Sequence, residues 1–247
     1  MNFTILRFDT LDSTNTEAAK HAKLGASEGL CIIARHQTAG RGRHGRKWIS
    51  NSDSGLYFSV VLRPKLATRF MPMITLMTGV AAHDTLGEFG LKPDIKWVND
   101  LLVGEKKIGG ILAEAVETNE GVAIVVGIGI NLKSFRFSPD IAATATSIEE
   151  ETGRTVTSDE LAEKLTEFIS YFYSILNGKN GPAKIIDQWR RRSSYFTGKD
   201  VRVVLENESI IGTTDGLEEN GALRVRKRDG GIAVVQAGNV QNIRPTI

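Results

Sequence analysis

Glycines alternate with cationic side chains in residues 40–48, whose sequence is GRGRHGRKW. Glycine lets a backbone approach a ligand closely, and arginine presents a planar fork of donors that suits phosphate or carboxylate. The spacing therefore predicts an anion-binding loop. A flexible, solvated charged loop is one alternative. An arginine–glycine segment that binds nucleic acid is another, although such segments usually form long low-complexity arrays. Neither a Walker-type nor a dinucleotide-binding fingerprint is present.

A second group of glycines falls inside apolar, β-branched runs. Gly109 and Gly110 follow Lys106 and Lys107, and residues 127–131 read GIGIN. A strand normally avoids glycine, because glycine costs conformational entropy and adds no packing, so these positions predict that some group approaches the backbone closely. A bulky flat ligand could lie against such a face. Two lysines at a hairpin tip are, on their own, more often solvated than catalytic.

Polar side chains of three kinds, from Lys96, Asn99 and Asp100, gather at the end of another apolar run. At a strand end, a lysine, an amide and a carboxylate can converge on a ligand or a divalent cation. The alternative is an ordinary surface turn, for which Asn-Asp is a common sequence. We therefore treat this segment as a candidate polar binding site.

Apolar spacing predicts the elements that must position these segments. The first helix begins at Ser13 and Thr14, where Thr14 and Glu17 have the spacing of a capping box, and it ends before Gly25. Further helices are predicted at residues 73–89, 158–176, with Ser158 as its candidate cap, and 183–191. Strands are predicted at residues 30–35, 56–62, 95–97, 101–103, 108–113 and 122–130. Helices flanking a mixed sheet indicate an α/β (α+β) fold.

The pattern changes at about residue 196. Short β-rich runs at residues 201–205, 209–214, 223–227 and 232–236 are separated by Asp-Gly, Asn-Gly and Asp-Gly-Gly turns. Such a series is typical of a small antiparallel barrel. The sequence therefore predicts two domains, 1–195 and 196–247.

Charge and cysteine content restrict the class of protein. The 247 residues include 31 Lys and Arg against 29 Asp and Glu, a formal net charge of +2, so no global basic field indicates nucleic acid. The single cysteine, Cys31, lies in an apolar run, which favours a buried thiol in a reducing compartment. No stretch approaches the length of a membrane span, and the first residues do not form a secretory signal. These features predict a soluble, cytoplasmic protein.

Taken in order, residues 37–48, 96–100, 107–113 and 127–131, with Ser13-Thr14-Asn15 at a helix mouth, closely resemble the biotin protein ligases. The resemblance covers nearly the whole chain, because the catalytic domain of that family is followed by a small SH3-like barrel. It implies a catalytic domain like those of class II aminoacyl-tRNA synthetases. It also implies that biotin and ATP, with Mg²⁺, form biotinyl-5′-AMP, and that biotin is transferred to a lysine of a biotin carboxyl carrier protein that serves a biotin-dependent carboxylase.

The resemblance also assigns residues, which we carry over position by position. Biotin contacts are implied for Ser13, Thr14, Asn15, Gln37, Gly40, Arg41, Gly42, Arg43, Lys107, Gly110, Gly127 and Gly129. Nucleotide contacts are implied for Arg41, Arg43, Arg46, Trp48, Asn99, Asp100, Lys107, Asn131 and Arg244. Arg43 and Lys107 are the expected catalytic residues, and Asp100 is the expected Mg²⁺ ligand.

Departures and alternatives complete the prediction. Val98 stands where the family commonly has proline, and His44 where it frequently has arginine. The catalytic segments begin almost at Met1, so no helix-turn-helix repressor domain is expected.

A lipoate or octanoate attachment enzyme shares the fold, but its Arg-Arg-x-Ser-Gly-Gly-Gly motif is missing. An RNA-binding module would need more aromatic residues for base stacking. The oligomeric state stays open: the resemblance allows a homodimer through the catalytic sheet, but the sequence does not identify an exposed edge strand. Neither nucleic acid nor a membrane is an expected partner.

Overall fold

The computed structural model describes residues 1–133, 139–205 and 208–242. Seven strands form a mixed sheet in the order β1-β2-β3-β7-β6-β5-β4, in which β1 runs parallel to β2 and the other pairs are antiparallel. These strands are β1 (Thr4–Leu11), β2 (Leu30–Gln37), β3 (Gly55–Leu62), β4 (Pro93–Lys96), β5 (Asp100–Val103), β6 (Lys106–Thr118) and β7 (Gly121–Asn131).

Helices cover both faces of this sheet. They are α1 (Thr14–Lys23), α2 (Met73–Glu88), α3 (Pro139–Ala142), α4 (Ile148–Thr152), α5 (Ser158–Leu176) and α6 (Gly181–Arg190). On one face, Ala18 and Ala22 of α1 pack against Ile32 and Val125. On the other face lies a larger core, in which α2 contacts the sheet, α5 and α6, and is therefore apolar nearly all round.

Five further strands form a separate antiparallel sheet in the order β11-β10-β9-β8-β12. They are β8 (Thr197–Val204), β9 (Ser209–Leu217), β10 (Leu223–Lys227), β11 (Ile232–Val235) and β12 (Asn239–Asn242). Their inward side chains, such as Val201 and Val225, belong to the same apolar cluster as the large core. The Trp97 indole N–H donates to the Gly221 carbonyl at 3.0 Å, so the turn before β10 is bonded to the end of β4.

The structure corrects several local predictions. Ser13 is the N-cap of α1 but makes no side-chain cap bond, and Thr14 lies inside the helix, so the Thr14–Glu17 capping box is not formed. The cap of α5 is Thr157, not Ser158, and it forms a capping box with Glu160. Strands β1 and β12 and helices α3 and α4 were not predicted. Within the described residues, no helix is long and apolar enough to cross a membrane.

Candidate functional site

A cleft opens beside the first residues of α1. Its walls come from the mouth of α1, the end of β2, the loop 40–48 and strands β3, β6 and β7. The residues around the β4–β5 connection close a third side. Residues 238–240, at the start of β12, also line the cleft, so the second sheet contributes to it. The cleft therefore collects all four segments that the sequence indicated.

Neutral hydrogen-bonding groups fill the end of the cleft at the mouth of α1. The Gln37 side-chain oxygen accepts from the Thr14 backbone N–H at 2.8 Å and lies 3.2 Å from the Thr14 hydroxyl. The Gln37 amide nitrogen donates to the Ser50 hydroxyl at 2.8 Å. The Ser59 hydroxyl donates to the Asn15 side-chain oxygen at 2.7 Å and lies 2.8 Å from the Thr14 hydroxyl. Because these side chains are buried, their mutual bonds fix each amide in one orientation.

Glycines form the floor of the cleft. Gly110 and Gly129 are cross-strand partners, and the neighbouring row pairs Gly127 with Ser59. A Cβ atom at Gly127 would lie 2.2 Å from the Asn15 side-chain oxygen, and one at Gly129 would lie 2.5 Å from the Trp48 ring. Other groups do approach these backbones closely, and in this structure they are two of the protein's own side chains. A ligand against this face stays a prediction.

The loop 40–48 folds back on itself as a narrow hairpin. The Trp48 N–H donates to the Gly40 carbonyl at 2.9 Å, and the Gly42 N–H donates to the Arg46 carbonyl at 2.7 Å. A Cβ atom at Gly40 would lie 2.4 Å from the Trp48 carbonyl oxygen, so this glycine is required by loop closure. At the tip, His44 has a φ of 55°, a left-handed conformation that is uncommon for residues other than glycine.

Two arginines of the loop contact the sheet. The Arg41 guanidinium donates to the Glu114 carboxylate at 2.7 Å, and that of Arg43 donates to the Asn99 side-chain oxygen at 3.2 Å. Burial lowers the pKa of Arg43, although the charge of Asp100 opposes this. Arg43 nevertheless stays protonated at neutral pH, because the ordinary pKa of an arginine is far above 7. The loop thus brings a partly desolvated cation to the cleft, which strengthens its attraction for an anion.

A carboxylate and two ammonium groups form the charged end of the cleft. The Lys107 ammonium donates to Asp100 Oδ1 at 2.5 Å, and the Lys96 ammonium lies 3.5 Å from Asp100 Oδ2. Burial alone would raise the pKa of Asp100, but the attraction of both lysines outweighs it and holds this pKa below its usual value. With Arg43 nearby, the cations outnumber the carboxylate, so this end of the cleft favours an added anion.

Trp48 lies between the neutral end and the charged end. Its ring covers the Gly129 backbone, and the Lys107 ammonium is 5.5 Å from the ring centroid. The indole N–H is buried and has no hydrogen-bond partner among the described residues. An unpaired buried donor costs free energy, so this residue of the cleft wall carries an unsatisfied N–H donor.

Most of the residues predicted for the site line this cleft, with three exceptions. Gly40 is not among the residues that line the cleft. The Asn131 amide donates to the Thr146 carbonyl at 2.9 Å, and Asn131 is not among the lining residues. Arg244 lies outside the described residues.

Sequence reasoning missed Ser50, Ser59 and Glu114, as well as the contribution of residues 238–240. For Ser59 a signal existed, because a serine inside the apolar strand β3 is fully buried and must find partners. The sequence gives no comparable signal for residues 238–240, which approach the cleft through packing of the second sheet.

The site offers little to a metal ion by itself. Over residues 1–133, 139–205 and 208–242, no cluster of three or more His, Cys, Asp or Glu side chains could hold one. Mg²⁺ commonly takes one or two protein carboxylates together with substrate phosphates. Asp100 fits such a role only as a single ligand, and only once a phosphate has drawn Lys107 away from it.

Comparisons with known proteins agree with this geometry. The sequence profile of the "Biotin/lipoate A/B protein ligase family" matches residues 7–131. The biotin--[acetyl-CoA-carboxylase] ligase of Paracoccus denitrificans is 32% identical over 225 residues, which cover 87% of this chain and 91% of that protein. The bifunctional ligase/repressor BirA of Bacillus spizizenii is 31% identical over 229 residues, covering 90% of this chain and 69% of that protein.

A solved structure extends the similarity to nearly the whole fold. The biotin protein ligase from Aquifex aeolicus, in complex with biotin and ATP, matches with a TM-score of 0.84 and 29% sequence identity. The match covers 98% of this chain and 99% of that chain. The resemblance to biotin protein ligases is confirmed. The chain therefore belongs to the biotin/lipoate A/B protein ligase family.

Proposed function

We infer that the protein is a biotin protein ligase, which activates biotin with ATP to biotinyl-5′-AMP and then transfers biotin to a carrier lysine. One observation carries this inference: a neutral hydrogen-bonding pocket and a cationic cluster face each other across a single glycine floor. Biotin has the matching shape, because a neutral ureido ring lies at one end and a carboxylate at the other. The family relationship and the relatives named as biotin ligases support the same conclusion.

The neutral pocket would hold the ureido ring. Both ring N–H groups need acceptors and the ring carbonyl needs a donor, and Ser13, Thr14 and Gln37 offer both kinds of group. The bonds among Thr14, Gln37 and Ser59 hold these groups in place before biotin arrives. A ligand therefore meets a preorganised pocket and loses less free energy in ordering it. Gly127 and Gly129 would contribute by making room for the Asn15 and Trp48 side chains, which would face the flat bicyclic ring.

The cationic end would carry the first half-reaction. A carboxylate oxygen of biotin attacks the α-phosphorus of ATP, a P–O bond forms, and the bond to the departing pyrophosphate breaks. No protein nucleophile is needed, because positioning and charge neutralisation suffice. We assign neutralisation to Lys107 and Arg43, with Arg41 and Arg46 on the covering loop, where Gly42 lets the backbone come close. Lys107 would exchange its bond to Asp100 for one to the carboxylate–phosphate bridge.

The nucleotide would occupy the side of the cleft between Trp48 and the second sheet. The Trp48 ring provides a stacking surface and residues 238–240 provide a wall. Asn99 and Asp100 lie at the same end. Roles for Asn131 and Arg244 in ATP binding rest on the resemblance alone. When Mg²⁺ accompanies ATP, it neutralises phosphate charge, and Asp100 would be its protein ligand.

In the second half-reaction the amine of a carrier lysine attacks the carbonyl carbon of biotinyl-5′-AMP. An amide bond forms, the bond from that carbon to the phosphate oxygen breaks, and AMP leaves. We propose as carrier the biotin carboxyl carrier protein of a biotin-dependent carboxylase, in a cytoplasmic location. A homodimer also remains a proposal, and β1 and β4 are the edges of the seven-stranded sheet that could serve it.

We further propose the finer classification of the two sheets. Residues 1–195 would form a catalytic domain like those of class II aminoacyl-tRNA synthetases, and residues 196–247 an SH3-like barrel. The start of β8 at Thr197 and the five-stranded antiparallel order support this division.

Mass spectrometry of a quenched reaction tests the proposed function. The purified protein is mixed with Mg-ATP and biotin, with lipoate and octanoate in parallel tubes. We expect biotinyl-5′-AMP from the biotin tube alone. Lys107→Ala should form no biotinyl-5′-AMP. Lys106→Ala should still form it, because the Lys106 ammonium pairs with Glu150 at 3.0 Å, outside the cleft. A lipoyl adenylate instead would overturn the substrate, and the absence of any adenylate would overturn the ligase assignment.

A further inference from the structure

Glu114 joins the two structures that face each other across the neutral end of the cleft. It lies on β6, and its Oε2 atom accepts from the Asn15 amide at 2.7 Å and from the Arg41 guanidinium at 2.7 Å. Asn15 belongs to α1, and Arg41 belongs to the loop 40–48. One carboxylate oxygen therefore connects the helix mouth to the loop that covers the cleft.

On the helix side, the carboxylate and the Leu112 carbonyl, at 2.7 and 3.2 Å from the Asn15 amide nitrogen, together orient that amide. A carboxylate accepts hydrogen bonds and does not donate them, so the amide must turn its nitrogen toward Glu114 and its oxygen away. That oxygen then accepts from Ser59, which contacts Thr14 in turn. An unbroken series of hydrogen bonds thus runs from Glu114 to the groups proposed for the ureido ring.

On the loop side, Glu114 provides one of two side-chain attachments of the loop's arginines to the sheet. The other is the bond from Arg43 to Asn99 at 3.2 Å. The bonds from Trp48 to Gly40 and from Gly42 to Arg46 are internal to the loop and do not hold it against the cleft. Loss of the Glu114 contact would therefore leave the first half of the loop free to lift.

We propose that Glu114 is a positioning residue that couples order at the biotin end of the cleft to closure of the loop, and so prolongs retention of the adenylate. This inference rests on the proposed ligase function. The reacting atoms would be served by Lys107 and Arg43, which Glu114 does not contact. Its loss is therefore expected to affect retention of biotinyl-5′-AMP more than its formation. Since both partners are partly exposed, the contact is modest in strength, and the effect is kinetic rather than structural.

Retention of a preformed intermediate tests the proposal. The protein is loaded with radiolabelled biotin and Mg-ATP, freed of excess ligand by rapid gel filtration, and sampled for bound adenylate over time. We expect Glu114→Gln to lose the adenylate roughly three- to ten-fold faster than wild type, as the loss of one charge-assisted contact implies. Its single-turnover rate of formation should fall by a clearly smaller factor. Glu117→Gln is the matched control, because it removes the same charge from an exposed position on the same strand.

Tryptic cleavage adds a readout that a general loss of stability would not produce. With biotin bound, Glu114→Gln should be cut faster than wild type within residues 41–47, while cleavage elsewhere is unchanged. Equal persistence of the adenylate in Glu114→Gln and wild type would overturn the proposal, as would equal losses in formation and retention. If wild type forms no adenylate at all, the proposed function fails first, and this inference fails with it.

Discussion

Replacing Gly127 with alanine tests the glycine floor at the point where it is most crowded. The new Cβ atom would lie 2.2 Å from the Asn15 side-chain oxygen and 2.9 Å from its Cγ atom. Both distances are shorter than real Cβ contacts, so either the Gly127 backbone or the Asn15 side chain must move. The Gly127 backbone is held in the middle of β7 by pairing with both β3 and β6. The Asn15 side chain is therefore the group that is expelled.

The cost follows from the hydrogen bonds that Asn15 would lose. Its amide donates to the Leu112 carbonyl at 3.2 Å and to Glu114 at 2.7 Å, and its oxygen accepts from Ser59 at 2.7 Å. At about 1 kcal/mol for each of these three bonds, the expected loss of unfolding free energy is about 3 kcal/mol. Because the same bonds orient Thr14, biotin affinity should fall as well.

Equilibrium unfolding in urea measures the first effect, and calorimetric titration with biotin measures the second. Gly87→Ala is the control, because Gly87 lies in α2, is exposed, and would bring its Cβ atom within 4 Å of nothing. An alanine there should leave stability unchanged or raise it by about 0.5–1 kcal/mol. A Gly127→Ala protein as stable as wild type, with undiminished biotin affinity, would show that the floor is not constrained as described.

Three further predictions concern other parts of the molecule. Burial alone would raise the pKa of Asp84, but hydrogen bonds from His83 and Arg192 hold it below the usual 3.8, so the stability that Asp84 contributes is complete above that pH and lost as pH falls. Asp84→Asn should therefore cost about 2 kcal/mol in urea unfolding at pH 7, and the difference from wild type should shrink below pH 4. Trp48→Phe should remove the larger part of the tryptophan fluorescence change on adding biotin and ATP, because Trp189 is fully buried and Trp97, although it lines the cleft, is only 2% exposed. Burial raises the pKa of Cys31 to about 12, so the native protein should resist a thiol reagent at pH 8 that modifies one thiol per chain after unfolding.

Predictability from the sequence differed between elements for physical reasons. Helix α5 and strand β3 follow strong apolar patterns, and the sequence located both within a residue or two. Strand β1 was missed because it is an edge strand, half exposed, and its residues alternate too weakly to be recognised. The predicted C-terminal end of α1 is correct, but the predicted cap is not, because the Thr14 backbone N–H donates to Gln37 of β2. A tertiary contact thus replaced a local one.

The site residues show the same division. The glycines at positions 127 and 129 indicated close approach, and the loop 40–48 indicated a cationic cover, because in both cases residue type alone restricts the chemistry. What those residues approach could not be read from the sequence, since Asn15 and Trp48 are more than 80 positions away from their glycine partners. The same holds for Glu114, whose partners lie 99 and 73 positions distant.

Because the two sheets share one apolar core, we expect the molecule to unfold as a single cooperative unit, even if its sequence divides into two domains. Gly221 is held between the Trp97 indole and the side chain of Leu76, where a Cβ atom would come within 2.6 Å. In a chain truncated at residue 195, the apolar surface around Leu76 and Trp97 would be exposed to water. In the intact chain, we therefore expect the two sheets to melt together in one transition. Substitutions that displace the second sheet should also weaken ligand binding, because Gly221 is bonded to Trp97, the residue that follows β4 and Lys96. Inactivating substitutions should therefore be found far along the sequence from any ligand contact.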